Sequence, residues 1–134
     1  MAAMSDFLEA QLLNTLFRTA AAYKPAGIYF ALFTAAPSDS GGGTEVSGGS
    51  YARTQVTQAD ANWNAPGVGG LIDNVNAITF PTATANWGTV THVGIFDAVS
   101  GGNLLFHGAI TVARIVNNGD TFRFNIGDFD MTFA

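Results

Sequence analysis

Cysteine is absent from the 134 residues, which removes a disulfide framework, a thiolate nucleophile and any Cys-ligated metal. That absence fits a reducing compartment. Charge is scarce as well: Asp, Glu, Lys and Arg make up 11% of the chain, against about 25% in an average soluble domain. The basic residues are Arg18, Lys24, Arg53, Arg114 and Arg123, scattered along a chain of net charge -5. Holding a phosphate backbone needs clustered Lys and Arg that displace counterions, so no direct nucleic-acid partner is expected. No apolar run approaches the roughly 18 residues of a membrane span. The opening Met-Ala-Ala-Met-Ser-Asp-Phe-Leu-Glu-Ala is acidic where a signal peptide is basic. The expectation is a soluble protein made in the cytoplasm, with no membrane partner and with Met4 as an alternative start to Met1.

What is present is hydrophobic: 48% of residues, so that Thr, Asn, Ser, Gly and Ala must cover much of the surface. Burying a hydroxyl or amide that finds a partner costs far less than burying a charge, so such a surface suits one that ends up against another protein. A free-standing β protein kept polar by Thr and Asn has the same composition. The length fits one domain, and a chain of this size buries roughly two-thirds of its unfolded surface, enough for a core without crosslinks.

The clearest helix signal comes first. Ser5 fits an N-cap, Asp6 and Glu9 sit where the helix dipole favours acids, and neither Gly nor Pro intervenes before Pro25. A helix over about residues 5–22 collects Leu8, Leu12, Leu13, Leu16, Phe17 and Ala20 on one broad face, with Gln11, Asn14 and Arg18 opposite. Glu9 projects toward the apolar side. Residues 1–26 therefore read as an arm and helix packed on the remainder.

From Gly27 the texture changes to short β-rich runs punctuated by Gly, Asn, Asp, Ser and Pro. Strands are expected at about 28–34, 51–57, 75–80, 89–97, 103–112, 121–126 and 130–133. The first is apolar on both faces, as in a central strand covered on two sides, with the helix as one candidate cover. Residues 36–50 read as a long flexible loop, and 60–70 as another irregular stretch around Trp63. Ser100-Gly101-Gly102 and Asn118-Gly119 are hairpin signals, the second compatible with a type I′ turn. Of the 11 Phe residues, all but Phe7 and Phe17 fall in this region. The fold class is all-β: an antiparallel, jelly-roll-like β-sandwich of about seven or eight strands over residues 27–134, with one N-terminal α-helix.

The search for chemistry returns little. His92 and His107 both lie in expected strands, where cross-strand pairing could bring them together, and Asp97 is the acid that could complete a metal site. No third ligand or oriented nucleophile accompanies them, so two structural histidines are the plainer reading. Gly48-Gly49-Ser50-Tyr51 lacks the spacing and following helix of a nucleophile elbow. Gly41-Gly42-Gly43 and Gly67-Val68-Gly69-Gly70 lack the residues that complete a phosphate or dinucleotide loop. Asp128 and Asp130 would share a strand face, and Asp39 and Glu45 share the first loop, but no Asp-x-Asp-x-Asp run marks a calcium site. Trp63 and Trp87, each beside Asn, could form a sugar-stacking platform, or anchor loops. No catalytic residue, metal or cofactor is expected, and enzymatic activity is not.

The wording of two long segments adds to this. Pro25-Ala-Gly-Ile-Tyr-Phe-Ala-Leu-Phe-Thr, running on through Gly41-Gly-Gly-Thr-Glu-Val to Arg53, resembles a family of small virion proteins of tailed bacteriophages and prophages. So does Ile78-Thr-Phe-Pro-Thr-Ala-Thr-Ala-Asn-Trp-Gly-Thr-Val-Thr-His-Val-Gly-Ile-Phe, continuing to Phe106. Members are labelled tail-fibre or minor structural proteins, and the nearest likeness is a jelly-roll cement protein decorating a phage capsid. The resemblance implies a structural role on the capsid exterior, with the major capsid protein as partner, or else a tail-fibre or glycan-binding receptor module. It implies synthesis in the host bacterial cytoplasm and offers no catalytic motif to carry over. A homo-oligomer, most simply a dimer, is the expected state. The interface candidates are the helix end with its arm, the 36–50 loop and the 60–70 loop, and by residue Asp39, Glu45, Tyr51, Arg53, Trp63 and Trp87.

Overall fold

The computed structural model describes residues 2–132; Met1 and Phe133, the first of two candidate starts and the end of the last expected strand, lie outside the described residues, as does Ala134. In chain order the elements are β1 (Ala2–Met4), α1 (Asp6–Phe17), β2 (Ile28–Ala35), β3 (Thr44–Glu45), β4 (Thr54–Val56), β5 (Leu71–Asp73), β6 (Ile78–Thr79), β7 (Gly88–Phe96), β8 (Leu104–Val116), β9 (Arg123–Phe124) and β10 (Asp130–Thr132).

Six strands form one antiparallel sheet in the order β1-β8-β7-β2, with β3 and β4 both pairing with β2. Phe30 pairs with Ile95 and Leu32 with Val93, so alternation sends these four to one face and Ala31 and Phe33 to the other. Two short antiparallel ribbons, β5 with β10 and β6 with β9, supply the second layer. Their neighbourhood contributes Ile78, Phe80, Phe122, Phe124, Phe129 and Met131 to the core. Phe30 meets Phe129 edge-on at 4.8 Å, and Phe80 meets Phe122 edge-on at 5.8 Å. Each such buried ring contributes roughly 1.5–3 kcal/mol, which makes this aromatic layer the main stabiliser.

The antiparallel all-β sandwich with one helix is borne out, with ten strands among the described residues. The three beyond expectation, β1, β3 and β5, are two or three residues long; β1 lies in the arm, β3 in the 36–50 segment, and β5 just after the 60–70 stretch. β2 is covered on both faces, but not by the helix. On the outer side Phe33 stacks against Phe96 at 6.2 Å, and a Cβ on Gly94 would stand 2.8 Å from the Phe33 ring. Gly94 is therefore the gap into which that ring fits.

Other expectations give way. The 36–50 segment is not a flexible loop: Ser38 bridges Gly41, Val46 is buried, and its N–H donates to the Leu32 carbonyl at 2.9 Å. Its glycines supply positive φ (Gly41, Gly42, Gly43, Gly48, Gly49) for a defined path rather than freedom. The Asn118-Gly119 turn is not a type I′ hairpin, because only Gly119 has positive φ and β8 and β9, which it joins, pair with other strands.

The helix ends at Phe17, short of residue 22. Ser5 caps it, accepting from the Leu8 N–H, while Arg18 is already extended at φ -126°, ψ -178°. Ser5 is itself buried, its hydroxyl donating to the Leu104 carbonyl and its N–H to that of Leu105. Phe7 meets Tyr23 edge-on at 5.3 Å, and the Tyr23 hydroxyl reaches Asp97 at 2.8 Å. The partly covered residues are Phe7, Leu8, Gln11, Asn14 and Thr15, whereas Leu12, Leu13, Leu16 and Phe17 are exposed. Most of the apolar stripe thus faces away from the sandwich.

Candidate functional site

Three of the candidate interface residues come together as a latch on the outer sheet face. Glu45 on β3 accepts from Arg53 Nε and Nη2, each at 2.8 Å, and from the Tyr51 hydroxyl at 2.8 Å. Arg53 also donates to the carbonyls of Ala98 and Gly101, and its guanidinium lies 3.6 Å above the Phe96 ring. The Arg53 side chain is 7% exposed. The Tyr51 hydroxyl accepts from the Leu32 N–H, and burial first, then the neighbouring Glu45 carboxylate, pushes its pKa well above the usual phenol value. The planar fork of the guanidinium fits this job, with four of its five N–H groups donating to a carboxylate or a carbonyl.

The tryptophans do not make a shared platform. Trp87 is 6% exposed, its indole N–H donating to the Gly49 carbonyl at 2.9 Å and its ring set edge-on to Tyr51. It pins the 47–50 turn and has no free face for a sugar. Trp63 is half-buried, stacked on Phe30 at 6.1 Å and edge-on to Phe129 at 6.2 Å. It borders a groove of about 840 Å³ whose wall includes Ile28, Ile72, Phe106 and Met131, with Asp60 beside it.

The polar chemistry is divided among separate structural tasks. His92 lies opposite Ala109 and His107 opposite Gly94, so the two imidazoles share the outer face of neighbouring strands without a common partner. His92 Nδ1 meets the Thr91 hydroxyl and His107 Nε2 meets the Asp39 carboxylate, each at 2.8 Å. Asp97 accepts instead from the Asn103 N–H and side-chain amide and from Tyr23, tying the β7–β8 turn. Partial burial alone would raise its pKa, but these hydrogen bonds, those from Asn103 foremost, hold the carboxyl below its ordinary range. Partial burial first, and then the contact with Asp97, push Tyr23 up to about 12. Asp128 folds back on the Asn125 N–H and amide, so it caps a turn rather than pairing with Asp130. Ser50, at φ 62°, meets the Thr84 hydroxyl and no imidazole. No group of three or more His, Asp or Glu able to hold a metal occurs among the described residues.

Two features escape sequence reading. Asn74, 1% exposed, donates to the carbonyls of Asn76 and Asn125 and accepts from the Phe129 N–H, binding β5 to the chain before β10. On β8, Val112 and Ile115 are each 67% exposed, and from Ile110 to Ile115 the edge away from β7 has no partner strand among the described residues. The signal for the second was present in the uninterrupted Ala-Ile-Thr-Val-Ala-Arg-Ile-Val run, too long to be covered by its neighbours.

No curated protein matches the chain in sequence. The family described as podophage GP4 fiber I protein gp80 matches it over residues 3–132. With nearly the whole sandwich and its helix inside that match, the chain belongs to this family and is a phage virion structural protein.

Proposed function

We propose that this chain is a non-enzymatic subunit of the fibre of a tailed-phage virion, working by protein–protein contact and self-associating as a dimer. The family's fibre description favours this site. The observation that carries the mode of action is the pairing of satisfied polar groups with bare apolar ones. Asp39, Glu45, Arg53, Asp97, His92 and His107 are hydrogen-bonded within the chain, while Val112, Ile115 and the α1 stripe face solvent. Isolated subunits rarely leave such patches open unless assembly covers them. The open edge of β8 suits strand addition by a neighbouring virion protein, because its backbone N–H and C=O groups form a ready template.

A second reading comes from the segments Pro25 to Arg53 and Ile78 to Phe106, which resemble a capsid cement protein. In that reading the sandwich decorates the capsid exterior and clamps major capsid protein subunits against the pressure of packaged DNA. Many weak clamps on one lattice sum to a strong restraint. A glycan-binding version of the fibre role would use Trp63 and Asp60 at the groove.

Quantitative mass spectrometry and immunogold labelling of purified virions decide between them. A handful of copies at the tail supports the fibre reading, hundreds on the head support cement, and absence from the particle refutes both. His92→Ala combined with His107→Ala leaves assembly and infectivity unchanged if no catalysis is involved.

A further inference from the structure

We propose that the free edge of β8, together with the concavity around Arg114 and Arg123 beside it, takes an extended, acid-bearing segment of a different virion protein. This deepens the strand addition described above and rests on the virion role given there.

The pairing of β8 has a gap in it. β1 covers β8 only from Phe106 to Gly108, and the β7 ladder stops at Ala109 opposite His92 and resumes at Arg114 opposite Val90. Ile110 to Ala113 therefore have no ladder partner on either side among the described residues. Val112 and Ile115 are each 67% exposed there. Unpaired backbone beside exposed β-branched side chains is a template for an added strand, which brings main-chain hydrogen bonds and apolar contact together.

Charge selects the occupant. Arg114 pairs with the core residue Val90 and so faces the second layer, where its guanidinium lies 5.4 Å from the centre of the Phe122 ring and donates to the Arg123 carbonyl at 3.2 Å. Two of the chain's five basic residues are thereby brought together from strands that do not pair with each other. Both line one concavity of about 350 Å³ with Thr79, Thr121 and Asn125, and no carboxylate shares its wall. The ion pairs among the described residues use only Arg53 and His107, so neither Arg114 nor Arg123 has an acid partner there. Asp120 and Asp128 are spent on their own turns, accepting from the N–H groups of Asn117 and Asn125, and Asp130 lines the neighbouring cavity. Guanidinium N–H groups left free in this way suit a carboxylate, which they bind as a fork. A second copy of β8 is the wrong occupant, because Ile110 to Val116 carries no acid and would add another Arg114 to the seam. Nucleic acid is wrong too: two arginines are few for a phosphate backbone, and it offers no apolar side chain to Val112 and Ile115.

Photocrosslinking in purified virions that carry Val112→p-benzoylphenylalanine tests this. The expected product joins the chain to a different virion protein, at a segment with Asp or Glu within about three residues of the attachment point, since Arg114 is two strand positions from Val112. That segment, made as a synthetic peptide, should bind the full chain in calorimetry. Arg114→Gln with Arg123→Gln should weaken binding about 10-fold or more, changing the peptide's acid to its amide should do the same, and the two losses should not add. Arg123→Gln alone serves as the second variant, because its exposed side chain makes no contact that folding needs. A virion without the chain overturns the virion role and this inference with it. In virions that contain the chain, crosslinking to another copy of itself, to a segment without an acid, or to nothing overturns this inference alone, as does peptide binding indifferent to both arginines.

Discussion

Replacing Arg53 by alanine opens the latch on the outer face of the sheet. It removes two bonds to Glu45 at 2.8 Å, bonds to the Ala98 and Gly101 carbonyls at 2.9 and 2.8 Å, and the guanidinium cover over Phe96. The side chains of Arg53 and Glu45 are 7% and 27% exposed, so the pair is largely shielded. Breaking a buried pair costs about 3–5 kcal/mol, against about 0–1 for a surface pair. Water reaching the stranded Glu45 places the expectation at the low end, about 3 kcal/mol, or a fall in Tm of roughly 10 °C. Arg53→Lys keeps the charge but cannot present a fork to the carboxylate while also reaching two carbonyls, and should cost about 1.5–2 kcal/mol. A double-mutant cycle with Glu45→Gln should return a coupling of about 1–2 kcal/mol. Urea unfolding followed by tryptophan emission measures all three, since Trp63 and Trp87 both pack on core rings. A loss below about 1 kcal/mol for Arg53→Ala would show that the latch behaves as a solvated surface pair rather than a buried one.

Asn74→Ala strands the carbonyls of Asn76 and Asn125 and the Phe129 N–H, and should cost about 2–4 kcal/mol in the same urea titration; a neutral result would contradict the role of Asn74 as a hub. Asp97 titrates below its ordinary 3.8 in the folded chain, so its stabilisation is present above that value and is lost as pH falls through the lower folded value. Asp97→Asn should therefore destabilise at neutral pH, with the gap to wild type closing in acid; a gap independent of pH would rule out the carboxylate as its source. Gly94→Val drives a side chain into the Phe33 ring, from which even a Cβ would be 2.8 Å, and should cost about 1–3 kcal/mol through overpacking; unchanged thermal stability would contradict the packing.

Local chemistry made the start of the helix legible. Ser5 followed by Asp6 and Glu9 names its own cap, and the cap forms as expected. Its end was not legible, because nothing in residues 18–22 forbids a helix. A helix with no fully buried residue gains little packing energy to propagate, and Pro25 biases the preceding Lys24 toward extended backbone. Periodicity gave the apolar stripe but not its direction, since period alone does not say whether the parent domain or another chain covers it. The long strands β2, β7 and β8 were readable because their side chains are dense and β-branched or aromatic. The 36–50 segment was misread because its order comes from distant partners, Arg53 for Glu45 and Leu32 for Val46, which composition does not encode. The same distance hid the fate of the candidate site: Tyr51 and Arg53 look like surface residues in sequence and are drawn inward by Glu45.

In the fibre role proposed above, the bare apolar surfaces of this sandwich are covered in the assembled particle. A cryo-electron microscopy reconstruction of the virion tests it most directly. Density for the chain is expected at the tail, with Leu12, Leu13, Leu16 and Phe17 and the β8 edge from Ile110 to Ile115 covered by neighbouring chains. A chain found in the particle with both surfaces open to solvent, or missing from the tail altogether, would contradict it.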